Sequence, residues 1–181
     1  MILWMNTLRL NLPTVLTLSR IILIPVFVFT VYRHPLFGAI VFGIASITDF
    51  LDGYLARRSD NITKFGIILD PIADKFLVIS ALIVLVDMER LPAWIAITII
   101  VREFLVTGLR VVALSKDIVI PAEIGGKIKT TLQIVATLCL ILMGSILNID
   151  LYDVGMALIK IALILSIISG IRYTVSFWRK I

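Results

Sequence analysis

"DFLDGYLARRSDNITKFGIILDPIADK", residues 49–75, sets five aspartates into a chain that is otherwise mostly apolar. Asp49, Asp52, Gly53 and Ala56 recur at i, i+3, i+4 and i+7, so on a helix they share one face, with Arg57 at its edge. Gly66, Asp70 and Asp74 follow at i, i+4 and i+8 on the next helix. A short loop between the two makes them antiparallel neighbours, and their ends beside that loop can gather the carboxylates of Asp49, Asp52, Asp70 and Asp74.

The surroundings of this stretch decide the fold class. Of 181 residues, 60% are hydrophobic and 16% charged, and the mean hydropathy is +1.11. Such a composition predicts an all-α integral membrane protein and excludes an ordinary soluble domain. Six apolar segments read as transmembrane helices, at 12–32, 36–57, 65–87, 91–114, 127–149 and 153–177. A short amphipathic stretch at 1–10 reads as an interfacial helix. "MILWMNTLRL" lacks a basic segment ahead of an apolar one, so the first span is expected to stay in the membrane. With no long linker and no internal repeat, residues 1–181 read as a single membrane domain. The lone Cys139 excludes an intrachain disulfide. The net charge of +5 comes without an aromatic-basic ribbon, so no nucleic-acid partner is expected.

Orientation follows from the basic residues. Arg9, Arg57, Arg58, Lys64, Lys116, Lys127, Lys129, Arg179 and Lys180 fall on one side of the six-span arrangement, and Arg33 and Arg90 on the other. The positive-inside rule then puts both termini and the loop beside the aspartates in the cytoplasm. Asp49 precedes Arg57 by eight residues, so it lies about 12 Å inside the helix end. The expected site is a polar cavity open to the cytoplasm.

Four carboxylates in one place repel unless protons or cations intervene. Oxygen ligands without His or Cys match hard divalent ions, Mg²⁺ or Mn²⁺, and four of them can hold two. Two such ions about 4 Å apart clamp the attacking and leaving oxygens of a phosphoryl transfer. Gly53 and Ala56 leave room for a bulky group against the helix, and Arg57 and Thr63 can bind its anionic or polar parts. Small residues also let membrane helices pack closely, which would explain either glycine alone but not the whole register.

The set Asp49, Asp52, Gly53, Ala56, Arg57, Gly66, Asp70 and Asp74 spells D-x2-D-G-x2-A-R-x8-G-x3-D-x3-D, which resembles the signature of the CDP-alcohol phosphatidyltransferase family. The resemblance implies an enzyme of the cell (inner) membrane that moves the phosphatidyl group of CDP-diacylglycerol to an alcohol and releases CMP. It implies that Asp49 and Asp70 touch both metals, that Asp52 completes one site and Asp74 the other, and that Asp74 is also the catalytic base. It further implies a CDP-diacylglycerol pocket of Gly53, Ala56, Arg57 and Thr63, and a homodimer in membrane lipid.

"NLPTVLTLSRIILIP" (11–25), "VREFLVTGLRVVA" (101–113) and "GGKIKTTLQ" (125–133) resemble the branch of the family whose acceptor is sn-glycerol 3-phosphate. They supply Arg102, Arg110, Lys127 and Lys129 as candidate ligands for the acceptor phosphate, a dianion that needs cations. Arg102 has an alternative task in balancing Glu103, and Lys75, off the aspartate face, reads as structural. Within the family the alternatives are a cardiolipin synthase and a phosphatidylinositol-phosphate synthase. The rival from another class is an ion-coupled transporter, whose paired broken helices and inverted repeats are missing.

Overall fold

The computed structural model describes the backbone of residues 12–55, 64–115, 124–146 and 149–179, and the side chains within 21–48, 75–113, 128–144 and 150–179. Six helices follow one another: α1 (Leu12–Arg33), α2 (Pro35–Leu55), α3 (Lys64–Asp87), α4 (Ala93–Ser115), α5 (Ile124–Leu142) and α6 (Leu151–Trp178). Two two-residue strands, β1 (Ser145–Ile146) and β2 (Ile149–Asp150), pair antiparallel between α5 and α6. The amphipathic stretch at 1–10 lies outside the described residues.

The fifth apolar segment corrects the sequence reading. It was expected to run as one helix over 127–149, but α5 stops at Leu142 and Met143 turns to φ 35°. Met143 and Gly144 then lead into the strand pair Ser145–Ile146 and Ile149–Asp150. Asp150 ends that turn by capping α6, its carboxylate accepting from Tyr152 N at 2.8 Å. Hydropathy is blind to this stop, because the capping aspartate and Gly144 carry their information in backbone geometry.

All six helices carry apolar side chains outward: Ile22, Ile47, Ile83, Ile97, Val135 and Ile171 are exposed, one on each. An outward apolar surface on every element is what hydrocarbon, not water, stabilises. Among the described residues, α6 is long and apolar enough by itself to cross a membrane. Three hydroxyls are satisfied within their own helix: Thr30, Thr48 and Thr98 each donate to the carbonyl four residues back.

α5 and α6 pack most extensively, α1 lies against α2 and α3, and α4 lies against α6. One end of the bundle is closed by side chains. Tyr32 Oη donates to Asp87 Oδ2 at 2.6 Å, tying α1 to the last residue of α3. Arg90 Nη1 donates to the carbonyls of Ile141, at 2.5 Å, and Leu140, at 3.4 Å, serving acceptors that the end of α5 would leave open. His34, between α1 and α2, is exposed and edge-on to Phe37, with no polar neighbour that would make it a ligand among the described residues.

The α1–α2 contact depends on Gly38, where an added Cβ would stand 2.6 Å from both Cα and Cβ of Val31. Gly38→Val therefore has to push the two helices apart. Overpacking of this kind costs about 1–3 kcal/mol; the expected outcome is a lower unfolding temperature in detergent, read by thermal melting, and an unchanged melting curve would contradict the contact.

Candidate active site

The interior of the bundle changes character along its length. Near the Arg90 end it is apolar, built from Phe27, Val31, Phe42, Leu85, Ile95 and Ile141. Toward the other end, polar and charged residues take over the same inward faces.

On α2, Phe42, Ala45 and Ser46 are buried, and the 3.6-residue period carries that stripe on to positions 49, 52 and 53. On α3, Leu77, Ala81 and Leu85 are buried, and the same period carries their stripe back to positions 74 and 70. All four aspartate positions thus lie in line with core residues, on the inward registers of two helices. Their side chains, and those of Gly53's neighbours in the proposed donor pocket, fall outside the described residues, as do Ala56, Arg57 and Thr63 altogether. A carboxylate-only set on two inward registers fits hard divalent cations in the chemistry of its donors. Among the described residues there is no other group of three His, Cys, Asp or Glu able to hold a metal.

Lys75 directly follows Asp74 in α3, and from it the described side chains converge on Glu103 of α4. Its Oε2 accepts from Lys75 Nζ of α3 at 3.2 Å, and its Oε1 accepts from Arg102 Nη1 at 3.1 Å and from Lys129 Nζ of α5. Lys75 also donates to Glu103 O at 3.4 Å and to Thr107 Oγ1. Arg102 reaches α6, donating through Nε to Ser166 O at 2.8 Å and through Nη2 to Ser169 Oγ at 3.1 Å. Gly170 makes this approach possible, because a Cβ there would stand 3.2 Å from Arg102 Nε. Lys129 is only 4% exposed. A cation so desolvated is tolerable only beside a carboxylate.

The four acceptor candidates therefore sit differently. Arg102 and Lys129 meet at Glu103, whereas Arg110 lies two turns away on the same face of α4, its guanidinium 5.9 Å from the Tyr173 ring of α6. Lys127 is in the first turn of α5, its side chain outside the described residues. The structural engagement of Lys75 is as the sequence led us to expect, and Arg102 makes the contact with Glu103 that the sequence offered as its alternative task. The convergence of Lys75 and Lys129 on Glu103 is additional. Its signal was available, since ionisable residues embedded in apolar helices must find one another. Lys160 and Arg172 are exposed on the outer surface of α6 and take no part in the polar interior.

Comparison with known proteins finds relatives along most of the chain. The family model for CDP-alcohol phosphatidyltransferase matches residues 10–168. A CDP-diacylglycerol–glycerol-3-phosphate 3-phosphatidyltransferase of Bacillus subtilis is 40% identical, over 93% of this chain and 95% of that protein. Proteins of the same name from Rickettsia bellii and Shigella flexneri are 43% and 40% identical, over 90% and 91% of this chain and 93% of each relative.

Proposed function

The chain belongs to the CDP-alcohol phosphatidyltransferase family, and we propose that it transfers the phosphatidyl group of CDP-diacylglycerol to sn-glycerol 3-phosphate, giving phosphatidylglycerophosphate and CMP in phospholipid biosynthesis. The observation that supports the reading is the run of the α2 and α3 core stripes into the four aspartate positions, together with the cations that gather on Glu103 from Lys75 onward. The substrates are those in the names of its relatives, at about 40% identity over nine-tenths of the chain.

Asp49, Asp52, Asp70 and Asp74 would hold two Mg²⁺ or Mn²⁺ ions, which supply charge neutralisation at the diphosphate. Gly53 and Ala56 leave room for the nucleotide, and Arg57 and Thr63 bind it. Asp74 accepts the proton of the acceptor hydroxyl as its oxygen bonds to the phosphatidyl phosphorus. The bond from that phosphorus to the CMP oxygen breaks, and CMP carries away the electron pair. Arg102, Arg110, Lys127 and Lys129 hold the acceptor's phosphate. All six helices span the inner membrane, the site opens to the cytoplasm, and two copies assemble as a homodimer. The basic residues of the loops beside the aspartates support that orientation.

An acceptor panel tests the reading: purified protein with CDP-diacylglycerol, Mg²⁺ or Mn²⁺, and glycerol 3-phosphate, glycerol, phosphatidylglycerol or inositol phosphate, scored by CMP release and lipid product. Turnover should require glycerol 3-phosphate. Charge-assisted hydrogen bonds are worth about 1.5–3 kcal/mol, so Arg110→Ala and Lys127→Ala should each raise the acceptor KM roughly ten- to a hundredfold. Donor affinity should change far less. Unchanged acceptor kinetics in both variants, or efficient use of uncharged glycerol, would overturn the choice of acceptor.

A further inference from the structure

We propose that Glu103 is a positioning residue for the acceptor phosphate: it holds Lys129 and Arg102 where both can meet a phosphate monoester dianion. This rests on the reading in which the acceptor is glycerol 3-phosphate.

The geometry singles out Glu103 because one carboxylate organises cations from three directions. Lys75 comes from α3, Lys129 from α5, and Arg102 is the adjacent residue on α4 with its guanidinium turned to α6. All three contacts of Lys75 go to α4, to Glu103 Oε2, Glu103 O and Thr107 Oγ1. An ammonium has three N–H donors, so Lys75 is fully spent on holding α3 to α4. Lys129 and Arg102 are different. A lysine that gives one N–H to Glu103 can give another to a phosphate oxygen, and each Nη of Arg102 keeps a second N–H beside the one it donates to Glu103 or Ser169.

The charge count points the same way. Three cations and one carboxylate leave two positive charges among these four side chains. A phosphate monoester carries about two negative charges near neutral pH. A neutral alcohol in the same place would leave the excess charge uncompensated in an apolar bundle, which is costly. Glu103 thus contributes to specificity by fixing where Lys129 and Arg102 stand.

A role in positioning and a role in charge alone make opposite predictions. If Glu103 only subtracted positive charge, Glu103→Gln would tighten phosphate binding. If it positions, the same variant releases Lys129 and Arg102 from their anchor and weakens binding despite the gain in net charge. The experiment compares parent, Glu103→Gln, Glu103→Asp, Lys129→Gln and the Glu103→Gln/Lys129→Gln pair in detergent. It measures acceptor KM, donor KM, inhibition by inorganic phosphate and thermal stability. Loss of one charge-assisted contact predicts that Glu103→Gln raises the acceptor KM about tenfold or more and weakens inorganic phosphate by a similar factor. Donor KM should stay within about twofold, Glu103→Asp should recover part of the loss, and in the Lys129→Gln background the Glu103 change should add little, as coupled neighbours do.

An unchanged or lowered acceptor KM in folded Glu103→Gln would overturn the proposal, as would equal losses toward donor and acceptor. If Glu103→Gln does not fold, Glu103→Asp decides: its shorter reach should still raise the acceptor KM selectively, and parent-like kinetics would overturn the proposal. A parent that does not use glycerol 3-phosphate removes the acceptor reading and this inference together. A parent that does, with an indifferent Glu103→Gln, removes this inference alone.

Discussion

Asp74→Asn should abolish turnover while leaving the donor bound. The substitution keeps the side chain's shape but removes the proposed acceptor of the hydroxyl proton, a contribution worth about 10²–10⁴-fold in rate. It also removes one of four proposed metal ligands, so the loss should lie at or beyond the upper end of that range. Position 74 is in line with Leu77 and Ala81 on the buried face of α3, away from the face that Lys75 turns to α4. The asparagine therefore leaves the Lys75–Glu103 contact and the packing of α3 on α4 in place. The donor, for which the proposed pocket uses Gly53 and Arg57, should bind within about tenfold of the parent, as expected when a loss falls on the transition state and not on ground-state binding. Single-turnover CMP release and equilibrium binding of CDP-diacylglycerol separate the two. Near-normal turnover would remove Asp74 from the chemistry, and loss of donor binding equal to the loss of rate would make it a binding residue only.

The contrast between positions 74 and 75 shows what the sequence could convey. Asp70 and Asp74 are legible because their meaning is local: four-residue spacing on a helix fixes a shared face whatever surrounds it, and the structure continues that face into the core. The same holds for Asp49 and Asp52 on α2. The junction of Lys75, Arg102, Glu103 and Lys129 is not local. Its residues are up to 54 positions apart, from Lys75 to Lys129, and only the packing of α3, α4 and α5 decides that they meet. Sequence reasoning found Arg102 beside Glu103 because the two are adjacent, but had no means of choosing Glu103 for Lys129. The end of α5 eluded it for a different reason. Residues 143–149 are apolar enough for a span, and the feature that stops the helix, a positive φ at Met143, is written in backbone geometry. Periodicity thus reveals which way a residue faces, while partner choice and helix ends require the assembled bundle.

Chelation should eliminate activity as completely as Asp74→Asn does, and reversibly. Four carboxylates gathered as proposed would repel one another, and without cations such a set has no inexpensive way to remain fully ionised. The set holds oxygen donors alone, which selects Mg²⁺ or Mn²⁺ over Zn²⁺ or Cu²⁺, for which imidazole and thiolate would be expected. EDTA should therefore reduce CMP release to background, and an excess of Mg²⁺ or Mn²⁺ should restore it. The four ligands should not be equal. Asp49 and Asp70 are assigned to both ions and Asp52 to one, so Asp49→Asn and Asp70→Asn should each raise the metal concentration needed for half-activity at least as much as Asp52→Asn does. Losing a shared ligand weakens two sites, and each tenfold loss of affinity corresponds to about 1.4 kcal/mol. Metal titrations of activity, paired with Mn²⁺ binding followed by paramagnetic resonance, read both the rank order and the number of ions. Full turnover in chelator would end the metal-dependent reading. Parent-like metal affinity in Asp49→Asn or Asp70→Asn would leave the reaction standing but break the shared-ligand arrangement, because a carboxylate common to both ions cannot be neutralised without loosening them.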